Sequence, residues 1–95
     1  NELLARQVQS VVVCGGAGDF LIDEAIAQEA DAFLTGEMRY HLYMGHEQEI
    51  QICVLGHYES EQYTVELLER LLSDVFPHLP LYKTEVNTNP IHYLV

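Results

Sequence analysis

Ile50-Gln51-Ile52-Cys53-Val54-Leu55-Gly56-His57-Tyr58-Glu59-Ser60-Glu61 is the stretch whose reading decides how this chain folds. The apolar run Ile50 to Leu55 predicts a buried strand, and Gly56 ends it. A long amphipathic helix is expected from Glu59 to about Phe76. Val65, Leu68, Leu71, Leu72 and Val75 recur there at helical spacing, and Pro77 and Pro80 stop it. His57 then sits on the strand-to-helix turn and Glu61 in the first helical turn. Residues i and i+4 share a face once the chain is helical. Spacing alone leaves two readings open. An imidazole and a carboxylate on one face can form part of a metal site. Equally, a histidine at a strand end and a glutamate favoured by the helix dipole need no metal.

Working outward, Asn1 to about Gln9 reads as the end of a helix. Val8 to Cys14 is the first strand, its apolar core Val11-Val12-Val13-Cys14 being the pattern of a strand covered on both faces. Gly15-Gly16-Ala17-Gly18 makes a tight turn, and Asp19 is placed to cap a helix that runs to about Ala30. Ala32 to Thr35 is a short second strand ended by Gly36. Glu37 to about Gln48 reads as a weaker helix, interrupted by Gly45. Leu81 to Val86 alternates in part and reads as a fourth strand, half exposed or at an edge. Asn87-Thr88-Asn89-Pro90 is a turn, followed by an apolar tail. The order β-α-β-α-β-α-β predicts a single α/β domain over residues 1–95. It has a small, mainly parallel sheet of about four strands with helices packed on it.

Charge removes some functions. The chain has 95 residues with 4 Lys+Arg against 15 Asp+Glu, a formal net charge of −11. Arg6, Arg39, Arg70 and Lys83 are scattered, so direct nucleic-acid binding is not expected. No apolar run approaches a membrane span and no signal peptide is visible. Cys14 and Cys53 each lie within an apolar run without metal or redox spacing. They read as buried thiols, in keeping with a reducing cytoplasm. The absence of an initiator Met before Asn1 leads to the expectation of a processed or excised piece.

In an open parallel sheet, ligands bind outside the carboxyl ends of the strands. Three such ends carry chemistry here: Gly15-Gly16-Ala17-Gly18-Asp19, Thr35-Gly36-Glu37, and Gly56-His57-Tyr58-Glu59-Ser60-Glu61. The glycine loop is neither a Walker A loop nor G-x-G-x-x-G, since Leu21 holds the third glycine position. It is a tight turn, or a place for a small anion or a substrate phosphate. His41 and His46 are five residues apart, about 140° round a helix. Of the two, His41 can reach the site edge, while His46, His78 and His92 read as surface, loop and tail. Ser60 lacks a nucleophile-elbow motif.

Taken together, Val12-Val13-Cys14-Gly15-Gly16-Ala17-Gly18, Ala30-Asp31-Ala32-Phe33-Leu34-Thr35-Gly36-Glu37 with Tyr40-His41, Gly56-His57-Tyr58-Glu59-Ser60-Glu61 and Thr88-Asn89-Pro90 are collinear over nearly the whole chain. This gapped set resembles the carboxyl-terminal half of the Nif-three-like proteins. That is the YbgI-type dinuclear-metal-centre family, also labelled GTP cyclohydrolase I type two homologues. The resemblance implies two divalent metal ions (Zn, Fe, Mn or Mg) held between two halves of a longer chain. His57 and Glu61 would be this half's ligands. The amino-terminal half of the same protein would be the partner, supplying a His-His pair and an Asp. Gly16, Gly18, Thr35, Glu37 and His41 would stand at the site rim or behind the ligands, with the glycine loop or Thr35 orienting a substrate. The resemblance also implies a homohexamer. Two metals together activate water and clamp attacking and leaving oxygens, so a metal-dependent hydrolase of GTP cyclohydrolase-like or other nucleotide-related type is the expectation. The alternative is a non-catalytic oligomeric scaffold or regulatory binding protein with a structural metal. The isolated piece, with two ligands, is expected to be inactive and to bind metal weakly.

Overall fold

A computed structural model describes all residues, Asn1–Val95. The chain falls into two compact units, Asn1–Glu61 and Gln62–Val95. The first holds three strands, β1 (Val11–Cys14), β2 (Ala32–Thr35) and β3 (Gln51–Val54), with helices α1 (Ile22–Ala27) and α2 (His57–Glu61). The second holds α3 (Thr64–Val75).

The sheet is parallel throughout, in the order β1-β2-β3. Its register sets Cys14 beside Thr35 and Thr35 beside Val54. The carboxyl ends of all three strands are therefore level, and the loops beginning at Gly15, Gly36 and Leu55 leave from one edge. Two further backbone bonds extend the ladder past β3: Leu55 N–H to Thr35 C=O at 3.0 Å and Gly56 N–H to Gly36 C=O at 3.1 Å. Gly56, at φ +103°, then turns the chain into α2 through a conformation that side chains disfavour.

One face of the sheet carries the core. Phe33 and Ile50 are fully buried, with Ile22 and Ala25 of α1, Ala30 and Ile52 around them. Ile22, Ala25 and Ile26 fall at i, i+3 and i+4, which puts one side of α1 on that face. Burying side chains of this size contributes about 1.5–3 kcal/mol each. A carboxy-terminal cap ends α1: Glu29 N–H bonds Ile26 C=O at 2.9 Å and Ala30 N–H bonds Ala25 C=O at 3.1 Å. This is the paired pattern that closes a helix with a left-handed residue. Glu29 takes that position at φ 57°.

Several expectations are corrected. Leu81 to Val86 forms no strand, and the sheet has three strands rather than four. Alternation marks a face, but a strand also needs a neighbouring edge to bond, and Tyr82 and Val86 are exposed. The long helix from Glu59 is divided into α2 and α3, and the break coincides with the boundary between the two units. The Glu37 to Gln48 helix shrinks to a 3₁₀ turn, Tyr40–Tyr43. Arg39 before it is extended, and Gly45 and Gln48 after it take positive φ.

Asn1 to Gln9 is not helical; Asn1 and Leu4 lie along the outer edge of β3, and the chain then passes to Asp31 at the amino end of β2, where Gln9 N–H bonds Asp31 Oδ2. The Asn1 side chain donates to Ile50 C=O at 2.7 Å and accepts from Ile52 N–H at 2.9 Å, so an amide stands in for a further strand. β1 is not covered on both faces, since Val11 and Val13 are exposed. Cys14 and Cys53 are free and half-buried rather than buried. Asp19 makes no side-chain cap; a different partner claims it, described below.

In the second unit, α3 carries Val65, Leu68, Leu72 and Val75 along one stripe, all exposed. Lys83 Nζ pairs with Glu69 at 2.9 Å. Asn89 N–H bonds Asn87 Oδ1 at 2.9 Å and Ile91 N–H bonds Asn89 Oδ1 at 3.0 Å, forming the expected turn by consecutive side-chain acceptors. No helix is long and apolar enough to cross a membrane.

Candidate metal centre

The three loops at the carboxyl edge meet around His57. It opens α2, directly after the Gly56 turn, and Glu61 closes the same helix one turn on. His57 Nε2 lies 3.2 Å from Glu61 Oε2. On its other side, His57 Nδ1 lies 2.8 Å from Glu37 Oε1, which comes from the loop after β2. All three side chains are about half exposed and open outward. The Glu37 carboxylate, followed by the charge of Glu61, holds the imidazole pKa above its ordinary 6.5 against an opposing desolvation effect.

The donor set fits part of a metal site. Two ligands of one divalent cation, at bonds of about 2.0–2.2 Å, stand about 3–3.5 Å apart, and the Nε2–Oε2 separation of 3.2 Å lies in that range. A histidine that ligates through Nε2 ordinarily gives its Nδ1–H to a carboxylate, which fixes the tautomer and the ring plane. Glu37 is in that place. A proton or a divalent cation can sit between Nε2 and Oε2, so binding one displaces the other. The set stops at a partial site: no group of three or more His, Cys, Asp or Glu is arranged to hold an ion.

The glycine loop is pressed against the pair. Gly16 is buried at φ +64°, and a Cβ there would collide with Glu61 Oε1 and come within 3.3 Å of His57 Nε2. Two hydroxyls fasten this loop. Ser60 Oγ accepts Gly16 N–H at 2.8 Å and donates to His57 C=O at 2.8 Å, joining the loop to α2. Thr35, 1% exposed, accepts Gly18 N–H at 3.1 Å and donates to Gly16 C=O at 3.3 Å. Gly16, Gly18, Thr35, Glu37, His57 and Glu61 are thus brought together at this edge. The Thr35 hydroxyl is spent on the loop, so its observed role is to brace it. His41 is exposed on the 3₁₀ turn and takes no part in this hydrogen-bond network.

Two residues of this edge escaped the sequence reading. Ser60 carries no motif that marks it in sequence, yet it is the bolt between α2 and the glycine loop. Arg39 reads in sequence as one scattered charge among four. Its Nε donates to Asp19 Oδ2 at 2.6 Å and its backbone N–H to the same atom at 3.3 Å. The guanidinium holds the buried Asp19 carboxyl below its ordinary pKa.

Comparison with known proteins gives a consistent result. The family model described as Duf34/NIF3 (NGG1p interacting factor 3) matches residues 2–90. The chain is 32% identical over 90 residues to a Campylobacter jejuni protein named GTP cyclohydrolase 1 type 2 homolog, covering 93% of the chain and 34% of that protein. It is 35% identical over 70 residues to an Archaeoglobus fulgidus protein of the same name, covering 73% and 29%. The fold is similar to that of Staphylococcus aureus protein SA1388, at a TM-score of 0.68 and 21% identity over 92% of this chain and 30% of that one. It is also similar to a Bacillus cereus protein related to NIF3, at a TM-score of 0.65 and 24% identity, covering 92% and 25%. The chain spans about a third of the length of these curated relatives.

Proposed function

Because this chain belongs to the Duf34/NIF3 (NGG1p interacting factor 3) family, we propose that it furnishes His57 and Glu61 as ligands to a dinuclear divalent-metal site in a longer protein. The remaining ligands come from the part of that protein outside residues 1–95. The observation that carries this reading is the Glu37–His57–Glu61 array. One ring nitrogen is oriented by a carboxylate at 2.8 Å, and the other stands 3.2 Å from a second carboxylate. The side chains are half exposed, as ligands awaiting a facing surface must be.

The chemistry follows from the donor set. Divalent metals bound there supply Lewis-acid polarisation and activation of water. Glu37 holds the His57 ring, and Gly16 leaves the approach to Nε2 and Oε1 unblocked. Hydrolysis is the reaction class this supports, and the relatives' name, GTP cyclohydrolase 1 type 2 homolog, makes nucleotide-related compounds the first substrates to try.

Metal analysis of the full-length protein tests the reading, comparing wild type with His57→Ala and Glu61→Ala. Each variant should lose bound metal. Unchanged stoichiometry and affinity in both would remove His57 and Glu61 as ligands. Assays with GTP and related nucleotides in Mn²⁺, Zn²⁺ or Fe²⁺ separate an enzyme from a scaffold with a structural metal. Metal-dependent turnover lost in His57→Ala identifies the enzyme.

A further inference from the structure

Arg39 is the one arginine or lysine bonded into the carboxyl edge of the sheet. Arg6 is tied to Asp31, which precedes β2 at the opposite edge, while Arg70 and Lys83 belong to the second unit. Asp19, which holds Arg39, is 8% exposed, whereas the Arg39 side chain is 61% exposed. A guanidinium that serves only to neutralise a buried carboxylate does best with two parallel N–H donors. Here the side chain gives Nε alone, and the backbone N–H of Arg39 supplies the second bond. Both Nη groups make no hydrogen bond within the chain, so the planar fork stays open.

The anchoring also places it. Met38 packs against the core, while Glu37 and Arg39 on either side of it are exposed. Glu37 reaches His57 Nδ1, and two residues of extended chain span no more than about 7 Å. On the other side, Asp19 directly follows Gly18, whose N–H bonds Thr35 in the loop that carries Gly16 against Glu61. Arg39 is therefore anchored on the carboxyl edge of the sheet that also carries the His57–Glu61 pair, between the loop after β1 and the loop after β2. In a chain of net charge −11, an anion is repelled from most of the surface, and an anchored cation on this edge supplies a local exception.

We propose that Arg39 binds an anionic group, phosphoryl or carboxylate, of the molecule on which the site acts, with Asp19 as its positioning residue. Bidentate recognition of three-oxygen or two-oxygen anions is what an open guanidinium fork provides and an ammonium does not. The link to substrate rests on the metal-site reading above; the anion site itself does not.

The test uses the full-length, metal-loaded protein titrated calorimetrically with inorganic phosphate and, separately, with acetate. Arg39→Met should weaken binding of the preferred anion by about tenfold or more, with metal content unchanged on the same samples. Phosphate responding and acetate not would assign a phosphoryl group; the reverse would assign a carboxylate. Where Arg39→Met fails to fold by circular dichroism, Arg39→Lys decides, since it keeps a charge for Asp19 but loses the fork. A several-fold loss in the lysine variant supports the proposal, and wild-type affinity overturns it. Wild-type affinity in a folded Arg39→Met also overturns it, as does wild-type protein that binds neither anion with its metals in place. Should the protein prove metal-free while anion binding still depends on Arg39, the metal reading falls and the anion site stands.

Discussion

His57 Nδ1 and Glu37 Oε1 are 2.8 Å apart across twenty positions of sequence, and this contact fixes which ring nitrogen is left to face Glu61. Replacing Glu37 by Gln keeps an acceptor but removes the charge that makes the imidazole a stronger ligand. Loss of such a supporting carboxylate ordinarily costs about 10–100-fold in metal affinity. Glu37→Gln in the full-length protein should show that loss in a chelator-competition titration, with unchanged stoichiometry at saturating metal. Wild-type affinity would mean that Glu37 does not orient the ring.

Gly16 offers a test of the glycine loop's place in the site. Ala there must hold φ +64°, which costs on the order of 1 kcal/mol, and its Cβ must displace the Glu61 carboxylate. Gly45 is a built-in control, because it also has positive φ, +82°, but a Cβ there meets nothing within 4 Å. Both Ala variants should lower the melting temperature by a few degrees. Only Gly16→Ala should also weaken metal binding in the full-length protein. Equal metal affinity in the two variants would remove Gly16 from the site.

What the sequence made legible follows from what each residue needs. β2 appeared at its observed bounds because Ala32 to Thr35 lies between a helix end and Gly36. The alignment of three loops at one edge followed from parallel order alone, since every strand in such a sheet ends on the same side. His57 and Glu61 were legible because their relation is local, four residues along one helix. Ser60 was not, because its role depends on an N–H 44 positions away. Asp19 departs from its expected cap for the same reason: a helix-capping preference is visible in sequence, but the Arg39 guanidinium twenty positions on takes the carboxylate instead. The break after Glu61 carries no glycine or proline to mark it, and the hydrophobic period begins only beyond it, at Val65. Leu81 to Val86 shows that alternation without an available edge does not make a strand.

Acid should find the two anchored aspartates. Asp19 is held below its ordinary 3.8 by Arg39, and Asp31 below the same value by the N–H groups of Gln9 and Ser10. A carboxyl with a lowered folded pKa contributes stability that is fully present above its unfolded value. That contribution is lost as pH falls through the folded value. Thermal denaturation of the chain should therefore be insensitive to these groups near neutrality and fall away as pH drops below about 4. Asp19→Asn and Asp31→Asn should each lower the melting temperature at neutral pH and flatten the acid limb. An acid limb as steep in the double variant as in wild type would show that other carboxylates govern it.

Glu29 gives the converse case, a residue that costs stability where it stands. The cap of α1 requires a left-handed residue after Gln28, and the chain supplies Glu at φ 57°. The bonds from Glu29 N–H and Ala30 N–H back to Ile26 and Ala25 are made by the backbone, so they survive any substitution that tolerates this φ. The Glu29 side chain is exposed and makes no ion pair there. Glycine removes the Cβ penalty of about 1 kcal/mol while adding some freedom to the unfolded chain. Glu29→Gly should accordingly stabilise the chain by up to about 1 kcal/mol, read as a higher denaturant midpoint at unchanged slope. Glu29→Ala, which loses the same charge but keeps the Cβ, should not gain. A gain in both variants would assign the effect to relief of the chain's negative charge, not to the cap.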